Sequence, residues 1–377
     1  MSLGFTVNGS SVTSRYATYV ECGLASPGSL WSWGRNDYGQ LGQNNITHRS
    51  SPVQVGSLTN WSLIASGYYH TLATKTDGTL WSWGSNSYGQ LGVGDRTHRS
   101  SPVQVGSLTN WSSIDFGGYH AIATKTDGTL WSWGYNTYGQ LGLSNTTNYS
   151  SPVQVGTLTN WSSISGGYYH TIATKTDGTL WSWGRNSYGQ LGQGNITTYS
   201  SPVQVGSLTN WSLIAGGNYH FIATKTDGTL WSWGYNNVGN LGLGDRTHRS
   251  SPVQVGSLTN WSSIGGGYHT LATKTDGTLW SWGLNSYGQL GQNNITGYSS
   301  PVQVGSLTNW SSIAGGYYHT LVTKTDGTLW SWGYNANGQL GQSDTTHRSS
   351  PVQVGSLTNW SSIDGGSYYT IATYNTY

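Results

Sequence analysis

Apolar and polar residues alternate in short runs along this chain, and glycine closes each run before a helical stripe could build up. No segment carries apolar residues at i, i+3, i+4 and i+7 over ten or more positions, so helices are not expected. Tyr69–Thr74 and Thr79–Trp83 are rich in β-branched and aromatic residues and read as strands. Lys75-Thr76-Asp77-Gly78 separates them, and Asp-Gly is a strong hairpin signal because both central residues of a type I′ turn need positive φ. The period of two places Trp81 and Trp83 on one face of the second strand, with Leu80 and Ser82 on the other. Two more short strands are expected at Val103–Val105 and Trp111–Ile114, which makes each unit a four-stranded antiparallel sheet.

The unit recurs along the whole chain. The string WSWG begins at Trp31, Trp81, Trp131, Trp181, Trp231, Trp280 and Trp330, a spacing of 50 residues with one step of 49 caused by a deletion near Gly265–Tyr268. All 21 tryptophans fall into this pattern, three per unit. A small sheet of this kind cannot bury its own faces, so the units must stack, and twisted four-stranded blades stack radially. The expected fold is all-β, a seven-bladed β-propeller closed by its terminal strands. Two segments compete for one place in the first blade: Tyr19–Leu24 before Trp31, and Gly365–Thr373 after the last unit. The C-terminal copy keeps the pattern better and is expected to close the ring. That divides the chain into residues 1–25, an N-terminal segment and candidate docking arm, and 26–377, the propeller as a single domain.

Composition changes the picture in two respects. Only 34% of residues are hydrophobic and 7% charged, while Gly (56), Trp (21) and Tyr (26) are abundant, so the core must come from aromatic rings packed on glycine-rich backbone. The net charge of +2 comes from 15 basic and 13 acidic residues with no basic tail or stripe, which argues against nucleic acid as a partner. The single Cys22 excludes an intramolecular disulfide and a Cys-rich metal site. Residues 1–15 do not read as a signal peptide, and no run of apolar residues is long enough to insert in a membrane. Asn-Trp-Ser recurs at Asn60, Asn110, Asn160, Asn210, Asn260, Asn309 and Asn359, and glycans beside seven tryptophans would disrupt packing, which argues against a eukaryotic secretory route.

The motifs Gly-x-x-His-Thr-Leu-Ala-Thr, Gly-Thr-Leu-Trp-Ser-Trp-Gly and Asn-x-Tyr-Gly-Gln-Leu-Gly, as they stand in Gly67–Gly92, resemble the regulator-of-chromosome-condensation repeat family. The resemblance runs from Tyr19 to Thr373 and itself implies a seven-bladed propeller. The family includes a chromatin-bound exchange factor for a small GTPase and a secreted bacterial inhibitor of β-lactamases. The exchange factor carries a wedge loop and a basic N-terminal tail that have no counterpart here. The matching motifs are the structural part of the repeat, so no functional residue carries over.

Each repeated chemical group has a structural reading that outweighs the functional one. His70, His120, His170, His220, His269 and His319 share one repeat position and are expected to make a repeated buried hydrogen bond, not a metal site, because blades radiating from an axis do not converge on one ion. Lys75, Lys125, Lys175, Lys225, Lys274 and Lys324 sit at hairpin tips with an aspartate two positions on and are expected to be solvated. The Trp pairs read as blade-to-blade core; each ring contributes several kcal/mol gross at ~25 cal/mol per Å² over ~200 Å².

The repeats differ after WSWG and in the loops QNNITHR, VGDRTHR, LSNTTNY, QGNITTY, LGDRTHR, QNNITGY and QSDTTHR. Tyr and Arg are typical of interface hot spots. The candidate partner-binding residues along this rim are therefore Arg35, Arg49, His98, Arg99, Tyr135, Tyr149, Arg185, Tyr199, Tyr235, His248, Arg249, Tyr298, Tyr334 and Arg348. Catalytic motifs are missing, the only glutamate is Glu21, and repeated groups in equivalent settings do not make an asymmetric active centre. No cofactor is expected. The expected function is that of a non-enzymatic binding or structural propeller whose rim meets a protein or glycan partner, as a component of a virion or cell-surface assembly held through the N-terminal segment. The alternative is a soluble regulator or inhibitor of one enzyme or small GTPase.

Overall fold

A computed structural model of the chain describes residues 28–375. Within them lie twenty-eight strands, β1 to β28 in chain order, arranged as seven four-stranded antiparallel sheets. Blade 2 is representative: β3 (Trp61–Ser66) runs along the axis, followed outward by β4 (His70–Lys75), β5 (Leu80–Gly84) and β6 (Arg99–Gln104). Blades 3 to 7 repeat it over residues 111–154, 161–204, 211–254, 261–303 and 310–353. Blade 1 joins β1 (Ser29–Gly34) and β2 (Arg49–Gln54) to β27 (Trp360–Gly365) and β28 (Tyr369–Tyr374) in the order β2-β1-β28-β27. The C-terminal copy thus closes the ring, with Leu30 opposite Thr373 and Gly34 opposite Tyr369. Tyr19–Leu24 and the proposed docking arm lie outside the described residues.

Three details depart from the sequence-based expectation. The innermost strand of each blade comes from the tail of the preceding sequence unit, so Trp61 pairs with Lys75 and not with the strand before it. The outer strand starts at Arg99, well before Val103, and contains Pro102; a proline is tolerated there because the outer edge needs no second ladder. The hairpin is not type I′. Lys75 accepts from Gly78 N–H and donates to Thr79 C=O, and only Gly78 has positive φ (76°), so a type I turn is followed by a glycine bulge. Asp77 stays out of the left-handed region because its Oδ1 accepts from both Thr79 N–H and Thr79 Oγ1. Gly78 is required twice over, since a Cβ there would meet Thr109 O at 1.9 Å.

The core lies between blades, not within them. At the junction of blades 1 and 2, Leu30, Val55 and Ile371 of one blade pack on Trp61, Ile64, Ala73 and Trp83 of the next. Seven such clusters follow each other around the ring, the last joining Leu321 and Leu329 to Trp33 and Trp360. In each, Trp61 or its counterpart meets both indoles of WSWG edge to face, at 6.2 and 6.0 Å in blade 2. The two indoles differ: Trp83 is wholly buried, whereas Trp81 is half-buried and lines a groove. The hairpin lysines are not solvated either. Lys75 Nζ sits 3.6 Å from the Trp81 ring centroid and 5.0 Å from that of Trp61, and five other blades repeat this. Burial lowers the ammonium pKa, partly offset by Asp77.

Four of the six repeated histidines make the expected buried bonds, and these cross from blade to blade, whereas His70 and His170 pack edge to face on Phe116 and Phe221 of the next blade. His120, His220, His269 and His319 Nε2 lie 2.7–3.1 Å from Oγ1 of Thr171, Thr270, Thr320 and Thr370. In blade 1 Tyr369 takes the position, and its hydroxyl donates to His70 C=O at 2.6 Å. Burial pushes His269 and His319 down to about 3, so both are neutral. In the unfolded chain they titrate near 6.5, so between that pH and about 3 the unfolded state binds protons that the folded state refuses. Stability, read as the urea midpoint, is expected to fall steadily as pH drops from about 7 to about 4, and a flat profile would contradict the buried neutral imidazoles.

Candidate binding face

The β3–β4 and β5–β6 connections of every blade emerge at one end of the propeller, here called the top; the Lys-Thr-Asp-Gly hairpins and inter-blade links emerge at the bottom. The motif Asn-x-Tyr-Gly-Gln-Leu-Gly builds the longer top loop. Buried Asn86 accepts from Leu91 N–H through Oδ1 and donates to Asp95 C=O through Nδ2, while Ser82 Oγ donates to Leu91 C=O. These loops are therefore held in place by buried polar bonds, and what they present is preorganised.

What they present is tyrosine. Tyr69, Tyr119, Tyr169, Tyr219, Tyr268, Tyr318 and Tyr368, one per blade, form a half-buried ring around the axis. Inside it Tyr68 of blade 2 meets Tyr168 of blade 4 at 5.8 Å and Tyr317 of blade 7 at 4.9 Å, so three rings converge over the axis itself. Burial raises the hydroxyl pKa around this ring, to about 12 for Tyr169 and Tyr368, so these phenols are neutral. Sequence reasoning missed the ring. The signal was present, an aromatic residue repeated at one position in all seven blades, but the sequence pattern makes Tyr69 the first residue of a strand that in fact begins at His70.

The predicted rim residues divide into two groups. Arg35, Tyr135, Arg185, Tyr235 and Tyr334 follow WSWG directly and surround the tyrosine ring. Arg35 donates to the Tyr69 hydroxyl at 3.1 Å and ion-pairs with Asp37; Arg185 lies 5.2 Å from the Tyr138 centroid and 5.9 Å from that of Tyr169. Tyr135, Tyr235 and Tyr334 pack on Tyr88, Tyr188 and Tyr287 at 4.7–5.0 Å. His98 and His248 join this group: each Nδ1 accepts a loop N–H, from Asn86 and Asn236, and the rings lie 5.2 Å from Tyr38 and 5.1 Å from Tyr235.

The second group stands further out and holds the loops. Arg99, Arg249 and Arg348 ion-pair with Asp95, Asp245 and Asp344 four residues earlier, at 2.5–2.6 Å. Tyr149, Tyr199 and Tyr298 instead accept from Asn145, Asn195 and Asn294 Nδ2 at 3.1–3.2 Å. The loop variation is thus two alternative pairings, Asp with Arg and Asn with Tyr. Arg49 alone breaks the rule, because position 45 is asparagine.

Charge is polarised between the faces. The top loops and outer-strand starts carry eight arginines against four aspartates, and with the buried Asp115 and Asp364 at the top ends of two inner strands the formal excess is two positive charges, whereas the bottom hairpins carry six lysines and six aspartates. The bottom also bears a ring of half-exposed leucines from Leu58 to Leu357. Among the described residues no helix is long and apolar enough to cross a membrane, and no group of three metal-ligating side chains occurs.

These features define a seven-bladed propeller with one aromatic, electropositive face. The RCC1-like domain matches residues 17–267, and the regulator of chromosome condensation (RCC1) repeat matches 276–323 and 326–373. The chain belongs to the RCC1-like repeat family. Among solved structures it is similar to Prp20p from Saccharomyces cerevisiae, studied with its binding to Gsp1p and histones (20% identity, 96% of this chain and 94% of that one, TM-score 0.83). It is equally similar to yeast RCC1 (Prp20) in the crystal structure with bound Kap60 (20%, 100% and 95%, TM-score 0.84) and to human WBSCR16 (21%, 93% and 99%, TM-score 0.83). At these identities the likeness establishes the fold. A comparison with curated proteins found no match.

Asp245 is held below the ordinary carboxylate range, first by Thr247 N–H and then, against a small burial cost, by Arg249. Asp245→Asn severs the ion pair and is expected to speed amide hydrogen exchange over residues 243–248. Adding Arg249→Tyr, which recreates the Asn–Tyr pair of blades 3, 4 and 6, is expected to restore protection. Equal exchange in the parent and both variants would show that the pair does not hold the loop.

Proposed function

We propose that this chain is a non-enzymatic regulator that binds one protein partner through its top face. The observation that carries this reading is the preorganised tyrosine ring with arginines on its margin. Tyrosine offers large amphipathic contact area at low entropic cost, and arginine adds directional bonds, the two residue types in which binding energy concentrates. The formal excess of two positive charges, with the arginines on the margin, favours an acidic partner surface and predicts association that weakens with salt. Solved propellers of the same fold have protein partners, Gsp1p and histones for Prp20p and Kap60 for yeast RCC1, which supports a protein over a glycan. The regulator reading draws support from those relatives; the virion or cell-surface assembly reading draws none from them. Against catalysis stands the use of the candidate general bases His120, His220, His269 and His319 in blade-to-blade bonds.

The test is site-specific photo-crosslinking in the cells that make the protein. A crosslinker at Arg185 or Tyr235 on the top is expected to give one discrete adduct, weakened by salt and by Tyr219→Ser. A crosslinker at Leu108 or Leu208 on the bottom is expected to give none. Adducts from the bottom alone, or from neither face, would refute the reading.

A further inference from the structure

Between neighbouring blades the outer strand of one and the half-buried WSWG indole of the next enclose a lateral groove. Three such grooves are well formed, between blades 1 and 2, 3 and 4, and 5 and 6, with volumes of about 540, 300 and 400 Å³. All share a floor of two tryptophans, a leucine and a proline: Trp61, Trp81, Leu58 and Pro102 in the first. Their chemistry differs. The second and third have Leu143 and Leu243 at the position of Gln43 and no arginine in their lining, although Lys175 and Lys274 cover their indoles Trp181 and Trp280 as Lys75 covers Trp81. The first is lined by Arg49 and Lys75 with no carboxylate.

Arg49 is the residue left over when the pairing rule of the top loops fails. In every other blade position 49 or its counterpart is tied to a side chain four residues earlier; here Asn45 Nδ2 keeps the bond to Gln43 C=O that the other loop asparagines also make, but has no tyrosine hydroxyl to donate to. Arg49 donates from Nε to Gln43 Oε1 at 3.2 Å, and among the described residues its terminal nitrogens have no hydrogen-bond acceptor. Neither Arg49 nor Lys75 forms an ion pair there, and Asp77, the carboxylate nearest Lys75 in sequence, accepts from Thr79. Lys75 is engaged by the Trp81 ring and by the nearby charge of Asp77, so the cation open to a ligand is Arg49; a cation in a partly apolar cleft favours an anion, and a guanidinium with both terminal nitrogens open matches a carboxylate in bidentate geometry. The volume lies in the range of small-molecule sites. The lining offers apolar surface from Val53, Leu58 and Trp81 together with polar groups from Gln43 and Ser101, so a ring that carries both C–H surface and hydroxyl groups finds a counterpart for each.

We infer that the groove between blades 1 and 2 binds a small organic carboxylate of sugar-ring size, a uronate, with its carboxylate on Arg49 and its apolar face on the Trp81 side. This site is separate from the top face and stands or falls independently of the protein-binding proposal.

The molecule supplies its own controls. Asn45→Asp recreates the Asp–Arg pair of blades 2, 5 and 7 and captures the guanidinium; Arg49→Tyr recreates the Asn–Tyr pair of blades 3, 4 and 6. Both pairings already stand in this fold, so neither variant should unfold, which thermal melting checks. Binding of glucuronate, with glucose as the neutral counterpart, is measured by saturation-transfer NMR and titration calorimetry. The parent is expected to bind glucuronate and not glucose, and each variant to bind it about tenfold or more weakly, the loss expected for one charge-assisted contact. No binding of glucuronate by the parent, equal binding of glucose, or unchanged binding by the folded variants would each overturn the inference.

Discussion

The structure depends on one hydrogen bond made seven times. The second indole of each WSWG is wholly buried, and a buried N–H must find an acceptor. It finds one in the preceding blade: Trp83 Nε1 donates to Gln40 C=O at 2.9 Å, Trp133 to Gln90 at 3.0 Å, and so on until Trp33 donates to Gln339 at 2.9 Å and the circle closes. The indole could not approach otherwise. The loop passes over its edge at a glycine with positive φ, and a Cβ on Gly92 would stand 2.6 Å from Trp133 Nε1. The same bond therefore joins two blades and fixes the top loop of the earlier one. Packing and presentation of the tyrosine face are consequences of a single contact.

That contact explains where the sequence is free to vary. Residues that make the indole bond, the glycine turns or the junction cores recur almost unchanged. Variation gathers at loop tips, and even there it is constrained to the two side-chain pairings four residues apart. The seam in blade 1 obeys the same physics with different residues. Tyr369 replaces histidine and still bonds across the junction, and Tyr374 replaces lysine, packing edge to face on Trp360 at 5.4 Å and Trp31 at 6.5 Å where the other blades place an ammonium. Asn45 and Arg49 fail to match, and among the described residues the Arg49 guanidinium keeps just the bond from its Nε to Gln43 at one groove of the ring.

Blade number, strand content and closure by the C-terminal strand were legible because they follow from repeat spacing and period-two patterning, which are local. The blade frame was not, because pairing Trp61 with Lys75 instead of with the strand before it depends on stacking between units. The turn type was misread because Asp77 bonds Thr79 and so avoids positive φ, a side-chain effect that the Asp-Gly signal does not carry. The lysines were expected in solvent because a hairpin tip is exposed in isolation; the cation–π contact with Trp81 exists only once the blade has formed. Of the rim residues, chemistry alone could not separate Arg35 and Tyr135, which face the tyrosine ring, from Arg99 and Tyr149, which hold loops. The tyrosine ring itself went unseen because its identity across repeats resembled that of the core.

The most direct test removes one indole bond where nothing else can compensate. Trp233 Nε1 is the only hydrogen bond donor to Gln190 C=O among the described residues, since Phe221 stands where most blades place a threonine that shares the acceptor. Trp233→Phe keeps an aromatic ring but deletes the donor. Amide hydrogen exchange should accelerate across residues 185–198, the top loop of the preceding blade, and stay unchanged in the hairpin 225–229 of its own blade. Uniform acceleration over both segments, or none in the loop, would contradict the view that this bond ties blade to blade and sets the binding face.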